Sequence, residues 1–273
     1  MSVSVAFEKA RADGRAALVG YLPAGFPDVA GGIDALRAMV DAGCDAIEVG
    51  LPYSDPVMDG PTIQAAAQQA LEAGVRTTDV IRTVEAVAAT CTPTLMMTYW
   101  NPVEAYGAAR FAKDLAAAGG AGLITPDLTP DFAPEWIAAA DEHDLDKVFL
   151  VAPSSTDERL ALTTAACRGF VYATAVMGVT GARTTTSDLA GPLVARTRGA
   201  ISQQGSDLPV GVGVGVSNGD QAAEVASYAD AVIVGSAFVR VLLDHPDDRT
   251  AGLRALAALT GDLADGVRRA HGG

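Results

Sequence analysis

Two carboxylates stand out by their surroundings. Glu48 lies in the apolar stretch IEVG, between Ile47 and Val49. Burying a carboxylate there is costly, and burial raises its pKa toward neutrality, which suits a general acid/base. A purely structural glutamate satisfied by backbone donors is the competing role. Asp59 follows in LPYSDPVMDGP, a stretch with three prolines, one glycine and two aspartates. Such a segment is rigid and non-regular. Asp55 and Asp59 could each form turns, the usual role of Asp beside Pro or Gly. Two carboxylates in different environments can also divide acid and base roles.

A second group suits an anion. Gly178-Val179-Thr180-Gly181 follows one apolar run. Gly211, Gly213 and Gly215 alternate through the next and are followed by Ser217-Asn218, and Gly235-Ser236 ends the last. Backbone amides at helix starts bind phosphate without a cationic side chain. Each glycine alone also fits close packing. Tyr21, Tyr99 and Tyr172 sit in or at the ends of apolar runs. They would line an apolar pocket for an aromatic substrate or simply fill the core.

Other chemistries lack their residues. The lysines are Lys9, Lys113 and Lys147, none placed for a Schiff base, and the histidines are His143, His245 and His271, with no ligand-spaced pair. The expectation is no metal and no cofactor. No nucleophile elbow or Walker loop occurs.

The elements that must position these groups are short apolar runs at 16–22, 45–51, 93–99, 121–127, 147–153, 169–175, 208–214 and 230–236. Each is bounded by Gly, Pro or Asp and reads as a strand buried on both faces of a parallel sheet. Between them apolar residues recur at helical spacing, as with Val29, Ile33, Leu36 and Val40, Phe111 and Leu115, Leu189, Leu193 and Val194, and Ala222, Val225 and Ala226. Asp188 and Asn218 are candidate N-caps, and Asp41-Ala42-Gly43 a candidate stop. Eight strands alternating with helices predict an α/β fold, a (β/α)8 TIM barrel spanning 1–273 as one domain. The longest intervals between strand starts, 45 to 93 and 169 to 208, place extra segments after strands 2 and 6. Active sites of such barrels lie at the C-terminal strand ends. That points to 51–61 and to 176–188, the latter expected to be a mobile lid.

Composition fits. The chain has 273 residues, is 49% hydrophobic and 19% charged, and carries a net charge of −14. That is a globular composition, and so acidic a surface repels nucleic-acid backbones. A phosphate can still be held on amides. No apolar run approaches the roughly 18 residues of a membrane span. The N-terminal stretch has no apolar signal region, and Cys44, Cys91 and Cys167 are odd in number and far apart. A cytoplasmic protein with buried packing thiols is expected.

At this resolution the motifs become specific. IEVGLPYSDPVMDGPTIQ, LMMTYWNP, GVTGAR, GVGVS and VGSAFV, in this order and over nearly the whole chain, resemble the α subunits of tryptophan synthase. The resemblance implies a lyase that cleaves indole-3-glycerol phosphate to indole and glyceraldehyde 3-phosphate in tryptophan biosynthesis. It places the catalytic carboxylates on Glu48 and Asp59, and phosphate binding on Gly181, Gly215, Gly235 and the neighbouring Ser236. It puts the pocket tyrosine on Tyr172 and the loop threonine on Thr180. Asp55 would face a β subunit in an α2β2 heterotetramer. Two departures concern pocket shape and partner contact: Val214 stands where the family frequently has Phe, and Thr129-Pro130-Asp131 replaces a more usual Pro-Pro-Glu. Competing readings are a regulatory subunit that activates β, a free-standing indole-releasing lyase, and another phosphate-handling barrel such as a ketose-phosphate isomerase. The last explains the glycines but not the block from Glu48 to Pro61.

Overall fold

The computed structural model describes residues 1–174 and 187–270. Eight parallel strands close in sequence order: β1 (Ala17–Pro23), β2 (Ala46–Gly50), β3 (Thr94–Met97), β4 (Gly122–Thr125), β5 (Asp146–Val151), β6 (Val171–Thr174), β7 (Val210–Gly213) and β8 (Ala231–Val234), which pairs with β1. Every expected run overlaps one of them, with β1 running one residue past its run and β5 starting one residue before. Their residues alternate between two apolar layers, because successive side chains on a strand point to opposite faces. Val19, Ala46, Leu95, Ile124, Val148, Phe170 and Ile233 pack in the interior cluster. Leu18, Ile47, Met96, Leu123, Phe149, Val212 and Val232 pack in the larger cluster shared with the helices. Burial on both faces is why these runs show no polar alternation.

The helical ring begins with α2 (Val29–Ala42), where Asp28 caps the first turn through the Gly31 amide at 2.7 Å. Gly43 ends it at φ +122°, as Asp41-Ala42-Gly43 suggested. The extra segment after β2 is a second helix: both α3 (Pro61–Glu72) and α4 (Thr77–Ala88) precede β3. Two helices also follow β3, α5 (Trp100–Tyr106) and α6 (Ala108–Ala117), although that interval is of ordinary length. α5 is short enough to fit within it. Next come α7 (Pro134–Glu142), α8 (Asp157–Ala166), α9 (Ser187–Gln203), α10 (Gly219–Ala226), α11 (Ser236–Leu243) and α12 (Arg249–Arg269). Asn218 caps α10 through the Gln221 amide at 2.9 Å, whereas Asp188 falls inside α9, whose first residue is Ser187. Leu189 is exposed, since it lies at the start of α9 beyond the face that Leu193 and Val194 bury. Cys44 is buried and Cys167 partly so, but Cys91 is exposed, so the three thiols do not share one packing role. Cys91 sits in the turn after α4, where the chain leaves the core. Among the described residues no helix is long and apolar enough to cross a membrane.

One element was not anticipated. Helix α1 (Ser4–Ala12) packs across the N-terminal end of the barrel, where Val3, Ala6, Phe7 and Ala10 join the interior cluster. The Phe7 and Phe170 rings stand 5.2 Å apart. The segment is fastened by Asp146, which opens β5 and is fully buried. Its carboxylate accepts the Val3 amide at 2.7 Å and the Ser2 hydroxyl at 2.9 and 3.0 Å, and Arg168 Nε lies 3.3 Å away. Asp146→Ala would leave the Val3 amide buried without a partner. A loss of about 1–3 kcal/mol is expected, read by urea unfolding. Unchanged stability would mean that the carboxylate's own burial cost cancels what it holds.

Candidate active site

Strand β2 sets Glu48 in register with Tyr21 on β1 and Leu95 on β3. Ala46 packs in the interior, so Glu48, two residues on, faces inward as well. The residue is fully buried, and neither carboxylate oxygen has a hydrogen-bond partner among the described residues. Burial pushes its pKa up to about 8. Among the described residues no backbone donor satisfies it, as the competing role would require. Such a group is protonated near neutral pH, and can donate that proton and take one back.

Tyr21 and Tyr172 share its neighbourhood. Burial, and then the negative charges of Asp59 and Glu48, hold the Tyr21 hydroxyl well above its ordinary pKa. Burial and then Glu48 do the same to Tyr172. Both phenols thus stay neutral hydrogen-bonding groups beside the carboxylates. The Phe170 ring lies 6.3 Å from Tyr172, which continues the interior stack toward the C-terminal mouth.

Asp59 arrives on the loop after β2 and is half-buried. Burial raises its pKa, and a hydrogen bond from Tyr99 opposes the rise. The loop is held from outside itself. Met58 donates its amide to the Tyr99 hydroxyl at 3.0 Å, the Tyr53 and Tyr99 rings stand 5.2 Å apart, and Asn101 Nδ2 donates to the Tyr53 hydroxyl at 3.0 Å. Tyr99, only 5% exposed, thus supports the loop that carries Asp59. Asp55, on the same loop, is exposed and accepts the Ser54 hydroxyl. Val57 and Met58 beside it are exposed, as is Phe132 in the 3-10 turn Pro130–Phe132 after β4.

The strand glycines divide into two roles. A Cβ at Gly50 would overlap the Tyr21 hydroxyl, one at Gly213 the Tyr172 hydroxyl, and one at Gly235 would crowd the Tyr21 ring. These three leave room for the tyrosines that flank Glu48. Gly215 differs: it is exposed, at φ +78°, with no heavy atom within 4 Å of where a Cβ would stand. Its left-handed backbone favours glycine and leaves open space beside the chain. Gly235 also precedes Ser236, the first residue of α11, and no side chain caps that helix. Among the described residues its leading amides are free to meet an anion. The start of α10 is not. There Asp262 takes the Gly219 amide at 2.7 Å, Asn218 takes the Gln221 amide, and Gln221 takes the Ser217 amide at 2.8 Å. The amides of Ser217, Gly219 and Gln221 are thus already taken, which leaves this start less open than that of α11.

Val214 is buried and packs with Val210 and Val212 in the layer shared with the helices, so its size bears on that layer. Thr180, Gly181 and residues 176–186 of the lid expected at 176–188 lie outside the described residues. Two supports of the site, Tyr53 and Asn101, escaped the sequence reading. Their only signal was proximity to strand ends, within PYSDP and YWNP.

A family model described as tryptophan synthase alpha chain matches residues 7–268. The chain is 64% identical over 266 residues to the tryptophan synthase alpha chain of Salinispora arenicola, covering 97% of each. It is 62% identical over 268 residues to that of Acidothermus cellulolyticus, covering 98% of this chain and 97% of the relative. Among solved structures, Mycobacterium tuberculosis tryptophan synthase superposes with a TM-score of 0.88 at 56% identity, covering 97% of this chain and 98% of that one. Subunit alpha from Legionella pneumophila superposes at 0.85 and 30% identity, covering 98% and 99%.

The burial of Glu48 makes a stability prediction. The unfolded chain releases this proton near the ordinary value of 4.5, whereas the folded chain keeps it to about 8. The folded state binds more protons between those values, so Glu48 costs stability progressively as pH rises from 4.5 to 8 and no further above. Glu48→Gln carries no proton to lose. Its stability relative to the parent should rise over that window by a few kcal/mol, at about 1.36 kcal/mol per unit of pKa shift. Urea unfolding of both proteins at pH 5 and pH 8.5 reads this. A pH-independent difference would show that Glu48 is not held protonated.

Proposed function

Since the chain belongs to the tryptophan synthase alpha chain family, we propose that Glu48 and Asp59 perform the carbon–carbon cleavage for which that family is known. The enzyme is a lyase, the alpha component of tryptophan synthase, and works with a beta subunit in tryptophan biosynthesis. Its reaction converts indole-3-glycerol phosphate to indole and glyceraldehyde 3-phosphate. The observation that carries the residue assignment is the fully buried carboxylate of Glu48, which faces the barrel interior without a hydrogen-bond partner among the described residues.

A retro-aldol cleavage needs neither lysine nor metal if the departing carbon can first accept a proton, and indole can, at C3. Glu48, protonated at rest, gives its proton to C3, which places positive charge on the ring nitrogen. Asp59 stabilises that charge. Glu48, now a carboxylate, takes the proton of the C3′ hydroxyl. The C3–C3′ bond breaks, its electron pair neutralises the ring, and the C3′ carbon becomes the aldehyde. Glu48 ends protonated, as it began. Tyr21 and Tyr172 border the indole, and Thr180 contacts the substrate. The phosphate rests on the open backbone of Gly215 and the start of α11 at Gly235-Ser236, with Gly181 joining them. Asp55 faces the beta subunit, in an α2β2 assembly. The whole of 1–273 acts as one cytoplasmic domain.

Glu48→Gln should retain the fold and lose about 10²–10⁴ in indole release, the usual scale for a general acid/base. An assay on indole-3-glycerol phosphate, with and without beta subunit, measures it. Undiminished turnover would remove Glu48 from the reaction.

Gly215 tests the anion site by a matched pair. Asn and Asp both tolerate a left-handed backbone, so Gly215→Asn and Gly215→Asp differ mainly in charge. The aspartate variant should show the higher KM for the phosphorylated substrate, and the gap should narrow with salt. Equal KM in the two variants would place the phosphate elsewhere.

A further inference from the structure

The loop that carries Asp59 is positioned largely by the start of α5. Tyr99 takes the Met58 amide, and Asn101 holds the Tyr53 hydroxyl, so two of the loop's anchors lie on either side of Trp100. Gln64 Nε2, which donates to the Asp59 carbonyl at 2.8 Å, is the third. What then fixes the start of α5? Tyr99, the residue before the helix, makes no side-chain capping bond. The Trp100 amide, first in the helix, has no intrahelical acceptor, as for any first helical residue. It is taken by Asp127, whose two carboxylate oxygens stand 2.9 and 3.1 Å away. Asp127 belongs to the next loop, two residues past the end of β4. A carboxylate receiving a helix-start amide is favoured by charge as well as by hydrogen bonding.

We propose that Asp127 is a positioning residue for the cleavage reaction: by capping α5 from the neighbouring loop it fixes the Tyr99 hydroxyl, and through the Met58 amide the loop that carries Asp59. The inference rests on the assignment of Asp59 to the reaction. Asp127 acts at one remove, through a backbone amide and a phenol. The titratable groups that bear on Asp59 are Tyr99, whose hydroxyl takes the adjacent Met58 amide at 3.0 Å, and Tyr21, whose phenol feels its charge. Tyr99 opposes the rise that burial imposes on the Asp59 pKa. Releasing Tyr99 therefore moves the acid limb of the reaction to higher pH.

The test uses the full chain assembled with its beta subunit, with kcat and KM for indole-3-glycerol phosphate measured across pH. Asp127→Ala should lower kcat by about tenfold, within the hundredfold scale of ångström misplacement. KM should change little, and the acid limb should move upward. Asp127→Asn keeps one acceptor oxygen and should recover most of the rate. In a Tyr99→Phe background the effect of Asp127→Ala should shrink to the part carried by Asn101 and Tyr53, since the hydroxyl it positions is gone. A helix cap with no part in catalysis would instead lower the melting temperature and leave kcat and the pH profile at parent values. That outcome, or an undiminished effect in the Tyr99→Phe background, overturns the proposal. Should the alanine variant not fold, Asp127→Glu displaces the carboxylate by one methylene and is read against the same two outcomes. Asp59→Asn separates the two levels. Full activity there sinks the Asp59 assignment itself, whereas an inactive Asp59→Asn beside a parent-like Asp127→Ala sinks only the positioning role.

Discussion

A carboxylate that is fully buried, with no hydrogen-bond partner among the described residues, is the constraint around which this barrel is arranged. Glu48 would cost far less on a surface, or beside an arginine, than in a strand between Ile47 and Val49. The surroundings keep that cost in place. Apolar side chains fill the barrel below it, two phenols border it, and no cation among the described residues relieves it. Glycines at 50 and 213 exist where they do because the tyrosine hydroxyls need the space. Relieving the carboxylate with a cation would stabilise its charged form and remove the proton that the chemistry needs.

Much of this was legible in the chain. Burial on both faces makes parallel strands into plain apolar runs, so all eight could be located, and a lone carboxylate inside one is conspicuous for the same reason. What remained hidden depends on contacts between distant segments. Nothing in GVGVGVS distinguishes Gly213, which seats Tyr172, from Gly215, which faces open space at positive φ. The closure of the α10 start depends on Asp262, more than forty residues further along. Helix α5 hid within an interval of ordinary length, and with it Tyr53, Asn101 and the support of the Asp59 loop. Cys91 and Leu189 failed as core residues because each sits where an element enters or leaves the packed layer.

Acidity and phosphate chemistry coexist because their scales differ. The net charge of −14 acts over the whole surface, and salt screens it beyond roughly 10 Å. Backbone amides at a helix start act over a single hydrogen bond. A site built on Gly215, Gly235 and Ser236 needs no basic side chain and spends no lysine, of which the chain has three.

The helix laid across the N-terminal end of the strands has a consequence for traffic. With Val3, Phe7 and Ala10 filling that end and Asp146 fastening them, the interior is walled off on that side. Traffic of reactant and fragments is left to the opposite rim, where the C-terminal strand ends and their loops lie, and a neighbour seated on that rim would bear on both arrival and departure.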